Sequence, residues 1–381
     1  MKVMHLSDLH LGKNILEQSL IGDQEYILKE IINIIKEKNI DVVLIAGDIY
    51  DKGIPNVEAV KLFSNFLAKL YNMRVKVFVI AGNHDSKDRL IFGNELFINN
   101  GVYIEGIFDG NLKCVTLSDE YGEFNIYMFP FVKPADVRPY FLNDNIDSYD
   151  DAVRCVINNT KIDKNKRNII MIHQFVTANG VDLIRSDSEN ISLGGIDNID
   201  VSIFDSFDYV AMGHIHRPQK LLKETIRYAG SPLKYSFSEV NHRKSVPIIE
   251  LKEKGNIDIE LVSLAPLRDM RIIKGNLEEL LDKDYSKNIN TDDYISAVIT
   301  DEDYVMDAIG KLRSVYKNIL RLEYDNKRTS SYTNIDSNIQ EVENISEIDL
   351  FSDFYKMQNN IEIDDNKKKI MLDIIEELKD K

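Results

Sequence analysis

A chain of 381 residues is long for one hydrophobic core, and ~100–200 residues per domain predicts two or three domains. Apolar residues at 44% and charged residues at 29% are those of a globular protein, and no apolar run approaches the ~18 residues of a membrane span, so a membrane protein is excluded. A net charge of −16 argues against a nucleic-acid binder with a broadly basic surface, unless divalent cations, a local Lys/Arg cluster or a partner protein supplies the positive field.

The chain opens on MKVMHLSDLH, an alternating apolar strand that runs straight into polar residues. It lacks the apolar core and cleavage site of a signal peptide, so a cytoplasmic location is expected. Through about residue 100, KVMHL, a helix over 24–37, VVLIA, a helix over 57–71 and VKVFVI give a β-α-β-α-β order. The first helix follows Gly22-Asp23 and carries Ile27, Ile31, Ile34 and Ile35 on one face. Asn56 is placed to cap the second, whose stripe of Val60, Phe63, Leu67 and Leu70 reads as core, with a dimer contact as the alternative. Cys114 and Cys155, isolated and flanked by apolar residues, read as buried thiols rather than a disulfide or metal pair.

Beyond residue 100 the runs FNIYMF, NIIMI, DYVAM, SVPIIEL and IDIELVS are separated by turns and predict a mixed or antiparallel sheet. The pattern changes near Pro266: MRIIKG, YISAVIT, a helix around 305–316 and ILRLEY predict a small α+β domain over 266–326, after a first domain over 1–265. Residues 327–345 are polar and unperiodic, which marks a linker. The last segment, 346–381, carries two amphipathic stretches. Ser346 with Asp349 fits a capping box ahead of Leu350, Phe351, Phe354 and Met357, and Ile370, Met371, Ile374, Ile375 and Leu378 make a second apolar face.

Five motifs share one property: an apolar run ends and metal-competent side chains follow at once. They are Asp8-Leu9-His10, Gly47-Asp48, Gly82-Asn83-His84-Asp85, His173 after NIIMI, and Gly213-His214-Ile215-His216 after DYVAM. Strand carboxyl ends are where α/β sheets hold their sites. Residues two apart on an extended chain point to the same side, so Asp8 with His10 and His214 with His216 offer paired ligands. Glycine ahead of a ligand allows a close backbone turn. A carboxylate can bridge two cations, while imidazoles and an amide oxygen complete their spheres without excess negative charge. Two such cations ~3.5–4 Å apart suit phosphoester hydrolysis. Donor sets without thiolate favour Mn2+, Fe or Zn2+ over Ca2+ or Mg2+. A lone histidine after a strand is ordinarily structural, but five of the seven histidines fall in these motifs. His5, at opposite parity to Asp8 and His10, reads as packing or as support for a ligand, and His242 as a surface residue. Asp51 reads either as such a support or as a solvated turn carboxylate.

SDLHLG, GDIYDKG, GNHD, the later His173 and GHIH resemble the calcineurin-like metallophosphoesterase family. The resemblance implies an α/β fold built as a two-sheet β-sandwich flanked by helices. It also implies one metal on Asp8, His10 and His216, another on Asn83, His173 and His214, and Asp48 as the bridge. His84 would then be the catalytic group that stabilises the transition state or protonates the leaving oxygen, with Asp85 able to orient it. HLSDLHLGK, FDYVAMGHIHRPQ, YAGSPLKYSFSE, PLRDMRIIKGNLEEL and the later FSDFYKMQ are further similar to the SbcD family of nucleases. That similarity implies a Mn2+-dependent double-strand DNA exonuclease and single-strand and hairpin endonuclease. It would act in DNA end processing with a SbcC-type ATPase, as a homodimer within a heterotetramer. A capping domain would occupy 266–326, and the C-terminal helices would grip the ATPase, with packing of those helices on each other or on the first domain as the alternative. The chain has no Gly-x-x-x-x-Gly-Lys-Ser/Thr loop, so ATP hydrolysis must come from that partner. Two other readings stay open: a phosphodiesterase or phosphatase of the same fold acting on nucleotides or phosphoproteins, and a non-catalytic scaffold, although every ligand position is filled.

Overall fold

The structure, a computed structural model, describes residues 1–178, 183–189, 197–303, 305–326, 346–359 and 362–379. The expected linker, 327–345, lies outside the described residues. Two compact units are present, Met1–Met270 and Arg271–Lys381.

In the first unit the strands are β1 (Lys2–Leu6), β2 (Asn14–Ile15), β3 (Gln18–Ser19), β4 (Val42–Ala46), β5 (Lys76–Ile80), β6 (Val102–Glu105), β7 (Lys113–Asp119) and β8 (Gly122–Phe129). They continue with β9 (Arg167–His173), β10 (Val176–Thr177), β11 (Ile199–Asp200), β12 (Tyr209–Gly213), β13 (Gln219–Leu221), β14 (Lys223–Tyr228), β15 (Ser245–Leu251) and β16 (Ile257–Ser263). Among the described residues they build two six-stranded sheets, β16-β15-β1-β4-β5-β6 and β13-β14-β12-β9-β8-β7, beside the short pairs β2-β3 and β10-β11. Helices α1 (Ile21–Lys38) and α2 (Val57–Asn72) are the crossovers that make β1, β4 and β5 parallel. The second sheet is mixed, as expected: β8, β9, β12 and β14 are parallel, with β7 and β13 antiparallel at its edges.

The sheets face one another. Val3, Val42, Leu44, Ala46, Phe78 and Ile80 of one meet Ile126, Met128, Ile169, Met171, Tyr209 and Ala211 of the other. Alternate residues of the second sheet, among them Ile170, Ile172, Val210 and Met212, bury against Val153, Val156 and Ile157 of the helix Tyr149–Asn158. Strands buried on both faces have no polar side, which is why VVLIA and NIIMI are unbroken apolar runs.

Helix α1 starts three residues earlier than expected. Gly22-Asp23 does not stop it, because the buried Asp23 carboxylate takes both Nε and Nη2 of Arg268 at 3.0 and 2.7 Å, at the positive end of the helix. Asn56 caps α2 through Ala59 N at 2.8 Å. The buried face of α2 is Ala59, Phe63, Phe66 and Leu70, rotated from the expected stripe. Val60 is 43% exposed and, with Leu67, Tyr71, Phe92 and Phe97, lines an apolar groove of about 560 Å³. The cysteines correct the sequence reading: Cys114 is exposed on edge strand β7 and Cys155 is partly exposed. Apolar flanks do not bury a residue on an edge strand or on the open side of a helix. Partial burial and the Asp144 carboxylate, 3.6 Å away, push the Cys155 thiol up to about 11.

In the second unit β17 (Met270–Gly275), β18 (Tyr294–Ile299) and β19 (Ile319–Tyr324) form one sheet, with Ile273, Leu280, Ile295, Ala297, Leu312 and Tyr316 in its core. The helix expected around 305–316 is shorter, Ala308–Arg313, and is capped by Asp307. The helices Glu347–Asn359 and Asp365–Lys379 pack on one another. Ser346 caps the first: its Oγ accepts Asp349 N at 3.3 Å while its hydroxyl donates to the Asp349 carboxylate. Leu350, Phe354, Ile370 and Ile374 stay exposed. The Met357 and Leu378 side chains lie outside the described residues. No helix among the described residues is long and apolar enough to cross a membrane.

Candidate metal centre

Five strands end at one place. Asp8 and His10 follow β1, Asp48 follows β4, and Asn83 and His84 follow β5, all from the first sheet; His173 ends β9, and His214 and His216 follow β12 in the second. The loops are tied to each other. Asp8 N donates to Gly47 O and His10 N to Asp48 O, each at 3.0 Å, His214 N donates to Asp8 Oδ1 at 3.0 Å, and His84 N donates to Asp48 Oδ1 at 2.9 Å. These bonds hold Asp8, His10, Asp48 and His214 at φ of 52°, 42°, 50° and 101°. Such backbone costs of order 1–3 kcal/mol per residue and persists only where the surroundings enforce it. Strand alternation therefore does not bring Asp8 and His10 together, as the sequence suggested; left-handed kinks do. The glycines serve close approach: a Cβ on Gly213 would lie 1.9 Å from Ala46 O, and one on Gly47 2.2 Å from His173 Nδ1.

The side chains converge. Asp48 Oδ2 lies 3.3 Å from His173 Nε2 and 3.6 Å from His10 Nε2. His10 Nε2 is 3.1 Å from His216 Nε2. Asn83 Oδ1 is 3.1 Å from His173 Nε2 and 3.0 Å from His214 Nδ1. The tautomer of His173 follows from the far side of its ring. His173 Nδ1 donates to Ala46 O at 2.7 Å, so Nε2 turns a lone pair toward the oxygens of Asp48 and Asn83. Lone pairs facing lone pairs are what a cation satisfies, and the set of buried carboxylates, imidazoles and an amide oxygen fits divalent metal.

The electrostatics agree. Burial pushes the Asp8 carboxyl up, and burial with the His173 charge drives His214 down to about 3. Burial likewise holds His10 well below its usual range. Burial opposes the charge on Asp48, yet His173 outweighs it and keeps that carboxylate well below the normal range. His173 moves the other way: burial disfavours its charge, but Asp48 raises it to about 9.

His84 Nδ1 donates to Asp51 O at 2.9 Å, and its ring meets His10 edge to face at 4.8 Å. With His10 and Asp48 it also forms a group compact enough to share an ion. Asp85 corrects an expectation. Its carboxylate accepts the backbone N–H of Ile49, Tyr50 and Gly82 at 3.1, 3.0 and 2.9 Å, so it ties two loops, while the His84 ring takes its orientation from Asp51 O. Burial and Asp48 push Asp85 up to about 6. Asp51 Oδ1 pairs with Lys13 Nζ at 2.8 Å and lies 3.8 Å from His10 Nδ1, too far for a hydrogen bond. His5 packs in the core, with Nδ1 3.1 Å from Tyr209 OH. His242 is buried rather than exposed, its Nδ1 3.7 Å from Glu239 Oε2. Gln24, Ser188, Tyr235, Glu239 and Lys244 were missed. Gln24 Nε2 donates to His10 O at 2.8 Å and Tyr235 OH to Leu9 O at 2.5 Å. The segment YAGSPLKYSFSE contains Tyr235 and Glu239 and was the one signal for them.

A two-sheet sandwich with acidic, amide and imidazole donors at the strand ends of both sheets defines a divalent-metal phosphoesterase of the calcineurin-like class, and the calcineurin-like phosphoesterase model matches residues 1–218. The type 5 capsule protein repressor C-terminal domain model matches residues 266–359. The SbcD component of the nuclease SbcCD from Staphylococcus epidermidis is 31% identical over 342 residues, which cover 88% of this chain and 89% of that protein. The chain belongs to the SbcD family of calcineurin-like phosphoesterases. Among solved structures, a dimetal phosphatase from Danio rerio is similar at a TM-score of 0.42 and 12% identity, covering 70% of this chain and 98% of that one. GAP50, the anchor in the inner membrane complex of Plasmodium, is similar at 0.40 and 10%, covering 84% and 96%.

Proposed function

We propose that the chain is a Mn2+-dependent DNA nuclease, a double-strand exonuclease and single-strand and hairpin endonuclease, working in the cytoplasm with a SbcC-type ATPase in DNA end processing, repair and recombination. The observation that carries the two-metal reading is Asp48 Oδ2, which lies between His10 Nε2 and His173 Nε2, one from each expected ligand set. Asp8, His10 and His216 would hold one ion, Asn83, His173 and His214 the other, and Asp48 both. When bound, such a pair of cations would supply a water of lowered pKa and positive charge for the phosphate oxygens. The protein's share is to hold the ligands rigid through the loop hydrogen bonds. His84, with Nδ1 committed to Asp51 O, works through Nε2 to stabilise the transition state or protonate the leaving oxygen.

The first domain, 1–265, carries the chemistry, and 266–326 is the capping domain that the family resemblance implies. The helices of 346–381 dock on the ATPase through Leu350, Phe354, Ile370 and Ile374, which their mutual packing leaves exposed. A homodimer within a heterotetramer forms through α2 and the exposed Phe92, Leu96 and Ile98 beside its apolar groove. The deciding experiment incubates the purified chain with labelled linear and hairpin DNA across Mn2+, Mg2+ and Zn2+, with and without the ATPase. Mn2+-dependent cleavage is expected. Hydrolysis of cyclic nucleotides or phosphopeptides without DNA cleavage would replace this reading with that of a small-substrate phosphoesterase.

A further inference from the structure

Behind His216 lies a buried acid that the metal ligands do not include. Glu239 ends the short 3-10 turn Phe237–Glu239 and has no exposed surface. Its Oε2 accepts Lys244 Nζ at 2.6 Å, and its Oε1 accepts the Ser188 hydroxyl at 2.5 Å and Tyr235 N at 3.3 Å. Lys244 is buried too and gives its other protons to His216 O and Ser231 Oγ, each at 2.8 Å. The ammonium of Lys244, 2.6 Å from Oε2, sets a positive charge against this buried carboxylate. A buried ion pair of this kind is weak support for stability, since an apolar pair of equal volume commonly does as well.

The hydrogen bonds give it another role. Three groups lie within reach of the single Ser188 hydroxyl proton, Ser186 Oγ at 2.9 Å, His216 Nδ1 at 2.7 Å and Glu239 Oε1 at 2.5 Å; the carboxylate paired with Lys244 is the charged acceptor and takes it, so Ser188 Oγ accepts from His216 Nδ1. Glu239 Oε1 itself lies 3.4 Å from the same nitrogen. His216 Nδ1 therefore carries the proton, and Nε2 turns its lone pair toward the site, 3.1 Å from His10 Nε2. Glu189 Oε1 fixes the backbone of the same residue by accepting His216 N at 2.8 Å. Among the described residues the group behind His173 is the neutral Ala46 carbonyl, to which its Nδ1 donates.

We propose that Glu239 is a positioning residue of the metal centre, which through Ser188 holds His216 as the Nδ1–H tautomer and makes its Nε2 a stronger donor for the ion shared with Asp8 and His10. The inference rests on the two-metal reading. A carboxylate behind a ligand histidine raises its basicity and fixes its ring, and loss of such a partner typically weakens metal binding ~10- to 100-fold. Only one of the two proposed ions would be held by His216, so the effect should be confined to that ion.

The test uses the full chain stripped of metal, with Mn2+ alone as the probe and calorimetric titration resolving the two binding events. Ser188→Ala breaks the relay and keeps the Glu239–Lys244 pair, so its metal-free melting temperature should match that of the wild type. It should weaken one Mn2+ by ~10-fold or more and leave the other unchanged. Ser188→Thr, which keeps the hydroxyl, should restore the first affinity. Glu239→Gln should weaken the same ion at least as much. Unchanged titration of Ser188→Ala, or equal weakening of both ions, overturns the positioning role while leaving two bound ions in the wild type. A wild-type chain that binds no Mn2+ overturns the two-metal reading and this inference with it.

Discussion

Asp48→Asn is the substitution that separates a bridging carboxylate from a structural one. The backbone should survive, because Asn tolerates left-handed φ well among non-glycine residues and Asp48 sits at φ 50°. Its amide oxygen can still accept His84 N, as Oδ1 does now at 2.9 Å. What is lost is charge between His10 and His173. Raising His173 from 6.5 to about 9 against the cost of burial requires about 3 kcal/mol of net attraction for one positive charge, at ~1.4 kcal/mol per pKa unit, and Asp48 is its main source. A divalent ion at that position loses at least as much, so Mn2+ affinity should fall by ~10²-fold or more, and nuclease activity with it. The metal-free protein offers a control. His173 has a folded pKa raised above its unfolded value, so its stabilisation is fully present below about 6.5 and is lost as pH rises through about 9. Metal-free wild type should lose about 3 kcal/mol of stability across that window, by denaturant titration at fixed pH values, and Asp48→Asn should show little of the loss. Two tightly bound ions by elemental analysis together with normal cleavage in Asp48→Asn would refute the bridging role.

Two further substitutions address the chemistry and the assembly. His84→Ala should leave both ions bound while lowering kcat ~10²- to 10⁴-fold, as loss of a general acid does. Because His84 also forms a compact group with His10 and Asp48, stoichiometric loss of one ion would instead make it a ligand. Truncation after residue 330 removes the exposed Leu350, Phe354, Ile370 and Ile374. It should abolish binding to the ATPase while Mn2+ titrates as before, and co-purification of the truncated chain at unchanged affinity would rule out docking through these helices.

The strand order and the cluster were legible because both are written locally. Unbroken runs such as VVLIA and NIIMI announce strands buried on both faces, and each metal-competent group follows such a run at once. What could not be read depends on contacts between distant residues. The start of α1 hangs on Arg268, which satisfies Asp23 from 245 positions away. Glu239 reaches His216 through Ser188, three segments that share no local pattern. His242 stands in a polar stretch and is nevertheless buried, beside the Glu239 carboxylate that pairs with Lys244. The face of α2 was misplaced by one residue because Ala59 carries little hydrophobic weight in a periodicity, although its small side chain is fully buried.

The division of ligands between the sheets makes metal removal a structural perturbation as well as a catalytic one. Asp8, His10, Asp48 and Asn83 come from the first sheet and His173, His214 and His216 from the second, so each ion of the proposed pair cross-links the two layers at their strand ends. The unfolded chain cannot assemble either set, and binding to the native state alone adds ~2.7 kcal/mol per ion at a hundredfold excess over Kd. In a domain of this size ~1 kcal/mol moves Tm by ~2–4 °C, so each ion should raise the melting point by ~5–10 °C. Met1–Met270 and Arg271–Lys381 are separate compact units, and only the first contains ligands. Thermal melts of chelator-treated protein titrated with Mn2+ should therefore move the transition of the first unit upward with log concentration and leave that of the second in place. A first transition that ignores Mn2+ at concentrations supporting cleavage would mean that the ions do not join the sheets, and the assignment of ligands across them would fall.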